Sequence, residues 1–169
     1  VAANCNVTLF GGGGNDDVDL AQQGQNLTNF NGTHMFYGGP GTDSLKLYDT
    51  QNNNPVVWNI NGGQVQRLPE SSPLSGTYAY EEMESLTVLA GSNGDTIAVQ
   101  DTWPTTPLTI APGADAPFVD DSINVMSSQG PTPVTILPNT GVPNGTSVNV
   151  NSDSTGTAAV RFPQGMRLF

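Results

Sequence analysis

The residues of this chain that could do chemistry fall in a pattern. Aspartate recurs beside clusters of glycine and just before alternating apolar runs: GGGGNDDVDL at 11–20, GGPGTDSLKL at 38–47, AGSNGDTIAV at 90–99 and, with its glycines lost, VDDSINV at 119–125. Glycine can take positive φ and turn carbonyl oxygens to one side, and a neighbouring carboxylate adds charge. The candidates are Asp16, Asp43, Asp95 and Asp121, with Gly12, Gly14, Gly39 and Gly41. Two such turns stacked one strand spacing apart, about 4.8 Å, would offer a cup of oxygens to a hard cation. Ca²⁺, which takes roughly six to eight oxygen ligands, fits better than Mg²⁺ or Zn²⁺. Asp16 with Asp43 makes the best site, and Asp95 with Asp121 a second. The same residues also suit a turn without metal, the glycine for positive φ and the aspartate for a hydrogen bond to backbone.

Other chemistry has thinner support. Glu81, Glu82 and Glu84 in YEEMESL could pair across a cleft for glycoside hydrolysis, although a solvated turn is the simpler reading. His34 stands without a second histidine and reads as a packed or surface residue rather than a ligand. No serine lies in a G-x-S-x-G context. A lyase would want cations to neutralise a uronate, and Lys46, Arg67, Arg161 and Arg167 do not recur along one face. Trp58 and Trp103, with Tyr48, Tyr78 and Tyr80, form either a sugar-stacking face or core.

The elements that must position these residues repeat. NVTLFGGGGNDDVDL (6–20), THMFYGGPGTDSLKL (33–47) and SLTVLAGSNGDTIAV (85–99) each read as a short apolar strand, a turn and an apolar-x-apolar strand. Looser copies follow: PLTIAPG leads to DDSINV, PVTILPN leads to GTSVNV, and TAAVRF (157–162) is a last strand. The second strands, at Val18, Leu45, Ile97, Ile123 and Val148, are about 27, 52, 26 and 25 residues apart, so one interval is about twice the others. A divergent coil would fill it. That gap holds VVWNINGGQVQRL, two alternating runs about Gly62–Gly63, which predicts an inserted hairpin within 50–80.

A period near 26 predicts one domain over 1–169 that is all-β: a right-handed parallel β-helix (β-solenoid) of about five to six coils. Each coil buries its apolar face only against the next, with Leu45 and Leu47 inward. Pro107, Pro112, Pro133, Pro138 and Pro143 fall at strand edges, where a missing N–H breaks no ladder. The alternative is an antiparallel β-sandwich, which shows similarly spaced turn signals and accounts better for the hairpin.

Gly11 to Asp19 and Gly38 to Lys46 match the nonapeptide G-G-x-G-x-D-x-U-x, and Ala90 to Ala98 nearly does. The chain therefore resembles the haemolysin-type (RTX) calcium-binding repeats of secreted bacterial surface proteins. The resemblance implies that Asp16 and Asp43, with the turn carbonyls, hold Ca²⁺, and less directly Asp95 and Asp121. The chain departs from those repeats in carrying the motif once per wide coil, with Gly94 one place late and Thr146 where an aspartate would stand.

Composition narrows the partners. Fifteen Asp and Glu against four Lys and Arg give a net charge of −11, which speaks against nucleic acid and anionic membrane surfaces. The apolar runs are too short for a membrane helix, so no membrane insertion is expected. Cys5, the lone cysteine, makes no internal disulfide. Four sequons, at Asn6, Asn26, Asn31 and Asn144, are about the number chance supplies in so Asn- and Thr-rich a chain. The expectation is a non-catalytic, secreted or cell-surface structural or adhesive module stabilised by Ca²⁺. It would self-associate into a fibre or surface layer, its apolar C-terminal QGMRLF acting as cap or contact, or meet other surface proteins. The alternative expectation is a β-helix that binds or cleaves a polysaccharide.

Overall fold

A computed structural model of the chain describes residues 6–24, 26–70, 74–113, 121–126, 134–137, 147–150 and 160–161. Cys5, Pro133, Pro138, Pro143, Asn144, Thr146 and the QGMRLF terminus lie outside the described residues. The protein is all-β. Its first strands are β1 (Val7–Phe10), β2 (Asp17–Leu20), β3 (Gly32–Tyr37) and β4 (Ser44–Tyr48). A central group follows, β5 (Val56–Asn61), β6 (Gln64–Pro69), β7 (Gly76–Glu81) and β8 (Ser85–Leu89). The last are β9 (Thr96–Val99), β10 (Leu108–Ala111), β11 (Ser122–Val125), β12 (Val134–Ile136), β13 (Ser147–Val150) and β14 (Val160–Arg161). The helical content described is a single 3₁₀ turn, Leu27–Asn29, capped by the Asn26 side chain, which accepts from the Thr28 N–H at 2.8 Å.

Two sheets result. One has eight strands in the order β1-β3-β7-β6-β5-β9-β11-β13, the other six in the order β14-β12-β10-β8-β4-β2. Among the described residues ten of the twelve strand pairings are parallel, and the two antiparallel ones, β5 with β6 and β6 with β7, both involve the hairpin strand β6. Outside the hairpin the chain passes from one sheet to the other after every strand. The parallel partners lie 27 residues on at Val18–Leu45, 22 at Leu86–Leu108, and 26 at both Leu108–Val134 and Ile97–Ile123.

Period-2 alternation explains the core. On each strand the residues that alternate inward meet their counterparts from the next copy, because parallel in-register pairing repeats the same face. Leu45, Leu86, Leu108 and Val134 make one buried column of the six-stranded sheet, and Leu47, Val88, Ile110 and Ile136 a second. In the eight-stranded sheet Trp58, Ile97 and Ile123 stack, as do Ile60, Val99 and Val125. These form one hydrophobic cluster between the sheets, with Leu45 and Leu47 inward as expected. Pro107 and Pro112 flank β10, at strand edges as expected.

One expectation is corrected. The strands around Val18, Leu45, Ile97, Ile123 and Val148 were expected to form one column, with a double interval in the middle. Val18 and Leu45 belong to the six-stranded sheet, whereas Ile97, Ile123 and Val148 belong to the other. The true counterpart of Leu45 is Leu86, 41 residues on. The hairpin β5–β6, turning at Gly62–Gly63, inserts two strands into the eight-stranded sheet and none into the six-stranded one. The long interval is therefore a change of sheet.

A buried charge pair ties this hairpin to the core. Arg67 on β6 and Asp49 after β4 are 1% and 0% exposed, and the guanidinium Nη2 and Nε both lie 2.8 Å from Asp49 Oδ2. Asp49 also accepts from the Leu27 N–H at 2.8 Å and from Asn52 Nδ2 at 3.1 Å, so both of its oxygens are satisfied. Burial raises the Asp49 carboxyl above its ordinary range, with the Arg67 charge and the hydrogen bonds opposing but not cancelling it. The guanidinium carbon sits 6.0 Å from the Trp58 ring centroid.

Candidate functional site

The two best sequence matches are stacked corners between β1 and β2 and between β3 and β4. Six residues, 11–16 and 38–43, separate the strands in each case. Backbone pairing continues through the corner: Gly11 N–H donates to Tyr37 O at 2.8 Å, Gly14 N–H to Pro40 O at 3.0 Å and Ser44 N–H to Asp16 O at 2.9 Å. Gly12, Gly14 and Gly39 take φ of 99°, 120° and 97°, the left-handed region foreseen for them. Gly41 serves a different purpose, since a β-carbon there would lie 1.6 Å from the Gly14 carbonyl oxygen. A β-carbon on Gly39 would likewise meet Gly12 O at 2.0 Å. The turn carbonyls of the first corner thus point along the stack onto the glycines of the second, instead of converging into a cup.

The carboxylates also follow the stack. Asp16 N–H donates to Asp43 Oδ1 at 2.7 Å, and Asp43 N–H donates to Glu84 Oε2 at 2.7 Å. Asp43 and Glu84 each accept the N–H of the acid before it in the column, which the ladder would otherwise leave without an acceptor. One oxygen of each aspartate stays outside this scheme: Asp16 Oδ2 and Asp43 Oδ2 are buried with no hydrogen-bond partner among the described residues. They point back at the first glycine of their own turn, where a β-carbon on Gly11 would lie 2.7 Å from Asp16 Oδ2 and one on Gly38 2.6 Å from Asp43 Oδ2. These two oxygens are the carboxylate atoms of the two corners left without a partner among the described residues.

Asp95 and Asp121 are stacked too, but on the opposite type of corner, where the chain leaves the six-stranded sheet for β9 and β11 of the eight-stranded one. The structure joins the four aspartates as two separate pairs. Asp95 N–H donates to Asp121 Oδ1 at 2.8 Å, and Asp95 accepts from Val56 N–H at 2.9 Å and from Gly91 N–H at 3.1 Å. Its two oxygens therefore both hold backbone. Fully buried, the Asp95 carboxyl is pushed up to about 6, chiefly by desolvation, with the two backbone N–H groups opposing. Among the described residues no group of three or more His, Cys, Asp or Glu side chains converges to hold a metal ion.

The column of Asp16 and Asp43 continues into Glu84, a residue whose sequence context reads as a solvated turn. The corner between β7 and β8 is only three residues, 82–84, whereas the next on this side, between β9 and β10, spans eight, 100–107. A short corner between two longer ones leaves a notch. A recess of about 410 Å³ lies there, walled by Gly39–Gly41 on one side, Trp103, Thr105 and Thr106 on the other, and Tyr80 to Glu84 at its floor. Met83 is buried, its carbonyl accepting from Thr106 Oγ1 at 2.6 Å, and Glu82 takes a positive φ of 53°.

Trp103 owes its place to the hairpin. A β-carbon on Gly63 would lie 2.6 Å from its Nε1 and one on Gly62 3.2 Å from its Cδ1, so the indole rests on the hairpin tip while the residue remains 40% exposed. The other aromatics raised for sugar stacking mostly go inside: Trp58, Tyr78 and Tyr80 are core. Burial raises the Tyr78 hydroxyl far above its usual range and pushes Tyr80 up to about 12. His34 is packed within the fold, its ring stacked on Tyr78 at 5.5 Å and 12°, and burial lowers its pKa. Lys46 faces out and pairs with Asp19 at 3.5 Å.

Compared with family models, with curated proteins and with solved structures, the chain matches none of them. Among the described residues no helix is long and apolar enough to cross a membrane.

Proposed function

We propose that the two sheets are faces of one parallel β-solenoid, a non-catalytic extracellular module whose work is structural or adhesive. The observation that carries this reading is the ladder register: strand after strand pairs in parallel with the next copy while the chain alternates between sheets. Such a fold offers extended, repetitive faces and two ends. On β1, Val7, Leu9 and Phe10 are exposed, an apolar strip that supports self-association. The commitment of Glu84 to the Asp43 N–H supports a structural use of that acid over acid–base catalysis.

Ca²⁺ belongs to this proposal at the first corner only, where Asp16 Oδ2 and Asp43 Oδ2 would supply its protein carboxylate ligands. Differential scanning fluorimetry with and without EGTA tests it, because a cation bound to the folded form alone raises the melting temperature. A fall of several degrees on chelation, abolished in Asp43→Asn, is expected, and a melting curve indifferent to EGTA refutes the calcium claim. Assembly is tested by size-exclusion chromatography with light scattering over a concentration series. Growth of oligomers is the expected result, and a strict monomer at the highest concentration counts against it. A second reading, glycan binding, is favoured by one observation, the recess beside Trp103.

A further inference from the structure

We propose that the recess at Glu82–Glu84 binds an ammonium-bearing sugar, the amino-sugar unit of a cationic glycan. This rests on reading the recess as a glycan site, and it names the ligand by charge.

Size favours a small ligand over a protein. A volume of about 410 Å³ lies within the span of small-molecule sites, roughly 300–1,000 Å³, whereas a protein partner needs about 800 Å² of contact on each side. The notch is bounded by its own neighbouring corners, so its dimensions follow from the lengths of three turns.

The aromatic wall is independent of the acids. Trp103 is held by the hairpin tip at Gly62–Gly63 yet left 40% exposed, which pre-positions apolar and π surface beside the floor of the notch. An indole favours both the C–H face of a pyranose and an ammonium group.

Charge then selects among sugars. Glu81 and Glu82 are exposed and Glu84 half-buried at this site, and no Lys, Arg or His is among the residues that line it. With a net charge of −11 over the chain, a uronate or sulfated unit is repelled, and a protonated amine is drawn in and hydrogen-bonded by carboxylate. Glu82 holds its positive φ at the floor of this notch, a backbone state that a non-glycine residue keeps only where its surroundings demand it.

Tryptophan fluorescence of the full chain reads the site, because Trp58 is buried and Trp103 is the exposed partner of the pair. Titration with glucosamine trisaccharide should change the emission, and raising the salt should weaken the response. The change should be absent in Trp103→Ala, while calorimetry on Glu81→Gln and Glu82→Gln, both exposed side chains, should show binding weakened about tenfold each with the parent's far-UV circular dichroism retained. The N-acetylated trisaccharide, the corresponding glucose trisaccharide and choline serve as further arms. Equal binding of the two neutral sugars overturns the ammonium inference and leaves the glycan reading standing. Choline binding without sugar binding overturns both, as does no response to any probe up to about 10 mM.

Discussion

Asp95 sets two physical effects against each other, and pH decides between them. It is fully buried, so ionisation costs desolvation, but its two oxygens accept the Val56 and Gly91 N–H groups, which favour the charged form. Desolvation wins, and the carboxyl titrates near 6 in the folded chain against an ordinary value of 3.8. A folded pKa above the unfolded one means the native state holds the proton more tightly. The stabilisation is therefore complete below about pH 4 and is lost as pH rises through about 6. Roughly two pKa units correspond to about 3 kcal/mol, which in a domain of this size is about 6 to 12 °C in melting temperature.

The perturbation is Asp95→Asn, which stays neutral and keeps one carbonyl acceptor for the two N–H groups. It should cost about 1–3 kcal/mol at low pH, where the parent is also neutral, through the donor left facing an amide NH₂. As pH rises from 4 to 7 the parent should lose stability relative to the variant, and the gap should close or invert. Melting curves by far-UV circular dichroism at half-unit steps give the difference directly: shared groups remote from Asp95 largely cancel, while Asp49, whose charge helps raise Asp95, contributes to it. Parallel curves refute the reasoning, and a parent that gains on the variant with rising pH shows that the hydrogen bonds outweigh burial.

Arg67→Met strands Asp49 in the core without its cation and should cost about 3–5 kcal/mol in urea unfolding, while Arg67→Met with Asp49→Asn should recover much of that. Equal losses in the single and double variants would refute the pairing. Gly41→Ala drives a β-carbon into the Gly14 carbonyl and should cost about 1–3 kcal/mol or more. Gly13→Ala, with nothing within 4 Å of its β-carbon, should stay within about 0.5 kcal/mol of the parent.

Much of the fold is legible because a parallel ladder writes the same pattern in every copy. The strands around Leu45, Ile97, Ile123 and Val148, the hairpin about Gly62–Gly63 and the inward leucines all follow from alternation and turn residues. The sheet to which each copy belongs is not written in that pattern. Both kinds of corner place an acid just before the strand to accept the N–H of the preceding copy, Asp43 on one and Asp95 and Asp121 on the other, so their sequences look alike. A residue count at the corners would separate them, since Leu45 finds Leu86 only if the turn at 82–84 is allowed to be three residues long. The Arg67–Asp49 pair left a weaker trace: one cation inside an alternating strand, at a position whose neighbours Val65 and Trp58 point inward.

The acid excess also changes meaning once the corners are seen. Asp16, Asp43, Asp95, Asp121 and Glu84 stand just before strands, and four of them accept backbone N–H groups there, so a charge of −11 partly reflects how these turns satisfy their backbone. Acidity by itself thus argues neither for calcium nor for a ligand. What does argue for a ligand is where the repeat breaks. The three-residue corner, the left-handed Glu82 and the half-exposed Trp103 all line one recess, and the inserted hairpin reaches it through the contact of Gly62 and Gly63 with Trp103. Natural chains often place such departures from local regularity where function requires them, which is the ground for testing this recess first.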